Sequence, residues 1–116
     1  MPKPERIAKI NAEIVRQMSK IISNLNNPEI SETLISVTRA ETSQDLYQTK
    51  IYVSVYGDND KQSRVMKALE ESKGFIRREL AHAIDLRITP DIVWVLDDSL
   101  DRSERINKIL DELKGN

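Results

Sequence analysis

Residues 60–97 read DKQSRVMKALEESKGFIRRELAHAIDLRITPDIVWVLD. Val65, Ala68 and Leu69 fall at helical spacing and predict a helix over about Lys61 to Glu71, with these three inward. Ile76, Leu80, Ala83 and Ile84 make a second inward stripe over a helix from about Gly74 to Asp85. Ser72-Lys73-Gly74 lies between them. A glycine costs only about 1 kcal/mol inside a helix, which allows one continuous helix, but the apolar stripe changes phase there, which favours a kink. Arg87-Ile88-Thr89-Pro90 reads as a connector, and Ile92-Val93-Trp94-Val95-Leu96 as a strand apolar on both faces, which belongs inside a sheet or under helices.

Upstream, Ile7, Ile10, Ile14, Met18, Ile21 and Leu25 recur at steps of three and four, with Lys9, Glu13, Arg16 and Lys20 between them. This is an amphipathic helix, and Asn26-Asn27-Pro28 ends it. Two β-rich runs follow, Thr33 to Arg39 and Tyr47 to Tyr56. In the second, Tyr47, Thr49, Ile51, Val53 and Val55 alternate with polar residues and Tyr52, the period of a half-buried strand. The short polar linker Glu41 to Asp45 predicts an antiparallel hairpin, and Gly57-Asp58-Asn59-Asp60 a turn that caps the next helix. A last helix is expected after Asp97-Asp98-Ser99, with Ile106, Ile109, Leu110 and Leu113 inward. The order α-β-β-α-kink-α-β-α predicts an α+β fold, a three-stranded sheet packed on helices.

At 116 residues the chain holds one core, so residues 1–116 are read as a single domain. It has no cysteine, which removes disulfides and thiolate metal sites and fits a reducing cytosol. No apolar run approaches the roughly 20 residues that span a bilayer. Met1-Pro2-Lys3-Pro4-Glu5 lacks the apolar segment of a signal peptide, so a cytoplasmic protein is expected. The net charge is only −1, but the signs are segregated along the chain. Residues 1–20 carry five Lys/Arg against two Glu, and residues 61–90 carry seven against four. Residues 21–60 and 91–116 carry acidic excesses, six against two and seven against four. If the basic blocks share a face, that face can approach phosphates.

Chemistry-bearing constellations are missing. Glu70-Glu71 and Asp97-Asp98 are neighbours that diverge in direction, as solvated charges or caps do. His82, the single histidine, sits opposite the apolar stripe. Asp58-Asn59-Asp60 lacks the glycine and distal glutamate of a calcium loop, and neither a phosphate loop nor a glycine-flanked serine is present. The expectation is a protein without catalytic residues, metal or cofactor.

Two helices joined at a tight small-residue turn resemble the K-homology (KH) fold, which presents such a turn to single-stranded nucleic acid. Its usual Gly-x-x-Gly loop is here Ser72-Lys73-Gly74. The runs Gly74-Phe75-Ile76-Arg77-Arg78-Glu79-Leu80, Leu86-Arg87-Ile88-Thr89-Pro90-Asp91-Ile92, Asp97-Asp98-Ser99 and Arg105-Ile106 are similar to the ribosome-binding factor A family. The first helix, Thr38 to Leu46 and Ile51-Tyr52-Val53-Ser54 fit the same pattern. Ser72 replaces the family's usual alanine, and Ser103 a common glycine.

The resemblance implies a type II KH-like domain that binds the free small (30S) ribosomal subunit as a monomer. It would assist late maturation and processing of 16S rRNA, with a role in cold adaptation and no small-molecule substrate or membrane partner. On that reading the RNA-binding residues are Lys61, Arg64, Lys67, Ser72, Lys73, Gly74, Arg77, Arg78 and Arg87. Lys3, Arg6, Lys9 and Arg16 would extend the surface. Arg77 has an alternative role as an anchor to the sheet, and for Phe75 and Trp94 core packing is favoured over base stacking. The other reading is a protein-interaction module using Asp97, Asp98, Asp101, Asp111 and Glu112, without direct RNA contact.

Overall fold

Apolar residues at helical and strand periods gather the helices of this chain on one core face of a three-stranded sheet. The computed structural model describes residues 3–98. Helix α1 spans Pro4–Ser23 and buries Ile10, Ile14, Met18 and Ile22. Proline at its first turn loses no hydrogen bond, because that N–H has no helical acceptor. α1 ends at Ser23 with Asn24 as its C-cap, before the expected stop at Asn26-Asn27-Pro28. Asn27 Oδ1 accepts from Glu29 N at 3.0 Å and starts a four-residue helix, α2, Pro28–Ser31, which buries Ile30.

Strand β1 (Ile35–Thr42) and strand β2 (Gln48–Val55) pair antiparallel, with a bulge between Val37 and Arg39. β1 runs three residues past the expected end, so the hairpin turn is Ser43 to Tyr47 and not Glu41 to Asp45. Asp45 builds that turn. Its Oδ1 accepts from the Ser43 hydroxyl at 2.6 Å and from Tyr47 N at 3.0 Å, and these bonds hold its carboxyl below the ordinary aspartate range. Leu46 follows in left-handed backbone, φ 65°, and packs against the core. Tyr47 is exposed, contrary to the inward placement expected, because it belongs to the turn.

Helix α3 (Asn59–Glu71) is capped by Asp58, whose side chain accepts from Lys61 N at 2.8 Å. Helix α4 (Lys73–Ala83) follows after a single residue, Ser72, at φ −89° and ψ 0°. The kink is therefore tight, and α4 is shorter than expected. Ala83 is exposed, and Ile84, already in extended backbone, takes the inward place.

Strand β3 (Asp91–Leu96) pairs parallel to β2 in the order β1-β2-β3, which makes it an edge. This corrects the expectation of a strand buried on both faces. Ile92 is fully buried, whereas Val93 to Leu96 are half-buried. The register Thr49↔Ile92, Ile51↔Trp94 and Val53↔Leu96 puts these six residues on one face, with the core. Ile14 and Met18 of α1, Val65 and Leu69 of α3, and Ile76 and Leu80 of α4 fill that core together with Ile51, Val53 and Ile92. The expected last helix, with Ser103 and Ile106 to Leu113, lies outside the described residues.

Two buried polar side chains find partners at the sheet. Thr42 Oγ1 donates to the fully buried Thr49 Oγ1 at 3.1 Å, and Gln62 Nε2 donates to Val55 O at 3.1 Å. Gly57, at φ 143°, lets the Lys61 stem lie against the backbone; a Cβ there would stand 2.9 Å from Lys61 Cδ.

Candidate nucleic-acid interface

Leu69 and Ile76 are seven residues apart, close to two helical turns, so α3 and α4 turn their apolar stripes to the same side of the sheet. The same step relates Lys67 to Gly74, and four more residues reach Arg78. These three occupy the side opposite Leu69, Ile76 and Leu80, and all three are exposed. The kink thus carries an outward line of lysine, glycine and arginine, backed by a rigid core.

The seven cations of this region have distinct surroundings. Arg64 is held by carboxylates, Nε donating to Glu29 at 2.9 Å and Nη1 to Asp60. Lys73 pairs with Glu70 at 2.8 Å and has a side chain only 26% exposed. Arg77 is the anchor: Nη2 donates to Thr89 O at 2.8 Å and Nε to Pro90 O at 3.2 Å. It ties α4 to the connector just before β3. Lys61 lies over Gly57. Among the described residues, Lys67, Arg78 and Arg87 form no ion pair or side-chain hydrogen bond, and all three are exposed. Of the α1 cations, Arg16 is paired with Glu13, whose carboxyl is held below its usual range first by that hydrogen bond.

Ser72 gives α4 no side-chain cap, so its small size rather than its hydroxyl is what the kink uses. Gly74 is not held by φ or by packing, since a Cβ built there meets nothing within 4 Å. Trp94 packs against the core as expected, although its buried Nε1 has no partner among the described residues. Phe75 does not. It is 47% exposed and lines a groove with α1 instead of packing against α3. Its place at the α1 side of α4 depends on how the helices meet, which spacing within α4 alone does not tell.

The family model for ribosome-binding factor A matches residues 6–110. The chain belongs to the ribosome-binding factor A family. The factor of Clostridium tetani is 41% identical over 112 residues, which cover 96% of this chain and 92% of the relative. Among solved structures, the solution NMR structure of a Thermotoga maritima protein assigned as a ribosome binding factor A aligns with a TM-score of 0.72 at 25% identity. That match covers 82% of this chain and 90% of the other. Coordinates of the Thermus thermophilus ribosome binding factor A, as fitted into a cryo-EM map of a 30S complex, align with a TM-score of 0.62 at 19% identity, covering 76% and 91%. The fold is that of the family, KH-like, with α3, the Ser72 kink and α4 between β2 and β3. Among the described residues no group of three or more His, Asp or Glu is gathered to hold a metal, and no helix is long and apolar enough to cross a membrane.

Proposed function

We infer that this chain is a cytoplasmic, non-catalytic assembly factor that binds the free small ribosomal subunit as a single-domain monomer. It meets 16S rRNA with the outward line of its kinked helices and assists late maturation and processing of that RNA. The benefit is greatest in the cold, where misfolded RNA helices are hardest to escape. Membership of a ribosome-binding family and the 30S complex of the Thermus thermophilus factor support the partner. The observation that carries the choice of face is Gly74 between Lys67 and Arg78.

A glycine in a helix weakens it by roughly 0.5–1 kcal/mol relative to alanine. Among the described residues nothing offsets that cost, because neither the backbone conformation nor the packing at Gly74 needs a missing side chain. The use that fits the glycine is the close approach of a partner's backbone. Lys67 and Arg78 on either side, without a partner among the described residues, suit a polyanion. Lys67, Arg78 and Arg87 are its contacts, whereas Arg64 and Arg77 hold the surface in shape. Gly74→Ala tests this directly. Its stability is expected to rise by about 0.4–1 kcal/mol while its association with purified small subunits weakens. An alanine variant that binds as well as the parent removes the close-approach reading.

A further inference from the structure

We propose that the groove between α1 and α4 is a pocket for one unpaired base of the bound RNA, with guanine its best match. The proposal rests on the RNA-facing reading above and deepens it. The groove, of about 280 Å³, is lined by Gln17, Lys20, Ile21, Asn24, Phe75 and Glu79. A single exposed apolar side chain on a surface needs no explanation. Phe75 differs because it forms one wall of a concavity, with Ile21 from α1 also in the lining. Pockets for drug-sized ligands run from about 300 to 1,000 Å³, so this one suits a single planar base and not a helix.

The polar groups around that ring match a base edge. Gln17 Nε2 already donates to Glu13 at 3.0 Å, which leaves its carbonyl oxygen. The side chains of Lys20, Asn24 and Glu79 make no hydrogen bond or close ion pair with any described residue. Unpaired bases are typically stacked on an aromatic ring and bonded along their Watson–Crick edge. Guanine offers two adjacent N–H donors beside one carbonyl oxygen. The Glu79 carboxylate accepts from the donors, and Lys20 or Asn24 donates to the oxygen. Cytosine and uracil present a single donor group on that edge and leave part of the carboxylate unused.

Position supplies the route. Phe75 follows Gly74 directly and lies about 60° round the helix from Arg78, on the α1 side. A strand whose phosphates follow Lys67, Gly74 and Arg78 can turn one base into the groove without leaving the surface. Lys20 and Glu79 together give the groove a cationic donor and an anionic acceptor for a base.

The test uses the full chain. Binding to short single-stranded RNAs carrying one guanine is compared with binding to the same RNAs carrying inosine, which lacks the second donor. Phe75→Ala should weaken guanine-RNA binding roughly tenfold or more, and Glu79→Gln should erase the preference of guanine over inosine. Melting temperatures near the parent's would show that both variants fold. In parallel, a benzophenone side chain at position 75, bound to purified small subunits, should crosslink to rRNA at a guanine. A crosslink to a ribosomal protein, or Phe75→Ala binding as the parent does to RNA and subunits alike, overturns the pocket while leaving the RNA face intact. A parent protein that ignores small subunits overturns that face and the pocket with it.

Discussion

Arg77 and Arg78 are adjacent, alike in sequence, and differently employed. Arg77 spends both ends of its guanidinium on the carbonyls of Thr89 and Pro90, whereas Arg78 has no partner among the described residues. Hydrogen bonds to a charged donor contribute about 1.5–3 kcal/mol, and partial exposure places Arg77→Ala at the lower end of that range. Thermal unfolding should show that loss, while Arg78→Ala stays within about 0.5 kcal/mol of the parent. Equal stability of the two variants would deny the anchor. Asp45 gives the hairpin a pH dependence of known sign. Its carboxyl titrates below the ordinary value because the Ser43 hydroxyl, then the Tyr47 N–H, bond to the charged form. A depressed pKa contributes stability that is full above the unfolded value and is lost as pH falls through the folded one. The protection factor of the Tyr47 amide, measured by NMR exchange, should therefore fall below about pH 4, and Asp45→Asn should flatten that response.

At the level of elements, the kink is a junction between two helices that share one core. Leu69 and Ile76, on either side of Ser72, are both fully buried, so the angle is set by packing. Leu80→Ala, one turn further on, should cost about 2–5 kcal/mol in chemical denaturation, and a cost under 1 kcal/mol would mean that α4 is not clamped. Periodicity made α1, β2, α3 and α4 legible because each buries one face over several turns or pleats. It could not show α2, whose four residues contain no full period. The pair Asn27-Pro28 that caps α2 reads equally well as the end of α1. β1 outran its expected end because Glu41 and Thr42 are polar, yet they extend the ladder opposite Lys50 and Thr49. The edge position of β3 was hidden for a related reason. Trp94 and Leu96 face the core while Val93 and Val95 face outward, and an apolar run gives no sign of which side is covered.

Over the whole molecule, the segregated charge of the sequence marked the basic block that forms the kinked helices, but not which cations within it lack a partner among the described residues. That depends on contacts far apart in sequence, such as Arg64 with Glu29 and Arg77 with Thr89. Sorting them gives five of the seven basic residues a proposed division of work: Lys67, Arg78 and Arg87 for the partner, Arg64 and Arg77 for the scaffold. The central claim is that the outward line of the kink meets ribosomal RNA. Its most direct test is sedimentation of the parent and a Lys67→Glu, Arg78→Glu, Arg87→Glu variant with free small subunits at two salt concentrations. The parent should travel with free small subunits, less so at high salt, and the variant should stay at the top of the gradient with an unchanged melting temperature. A variant that still travels with the subunits would contradict the account.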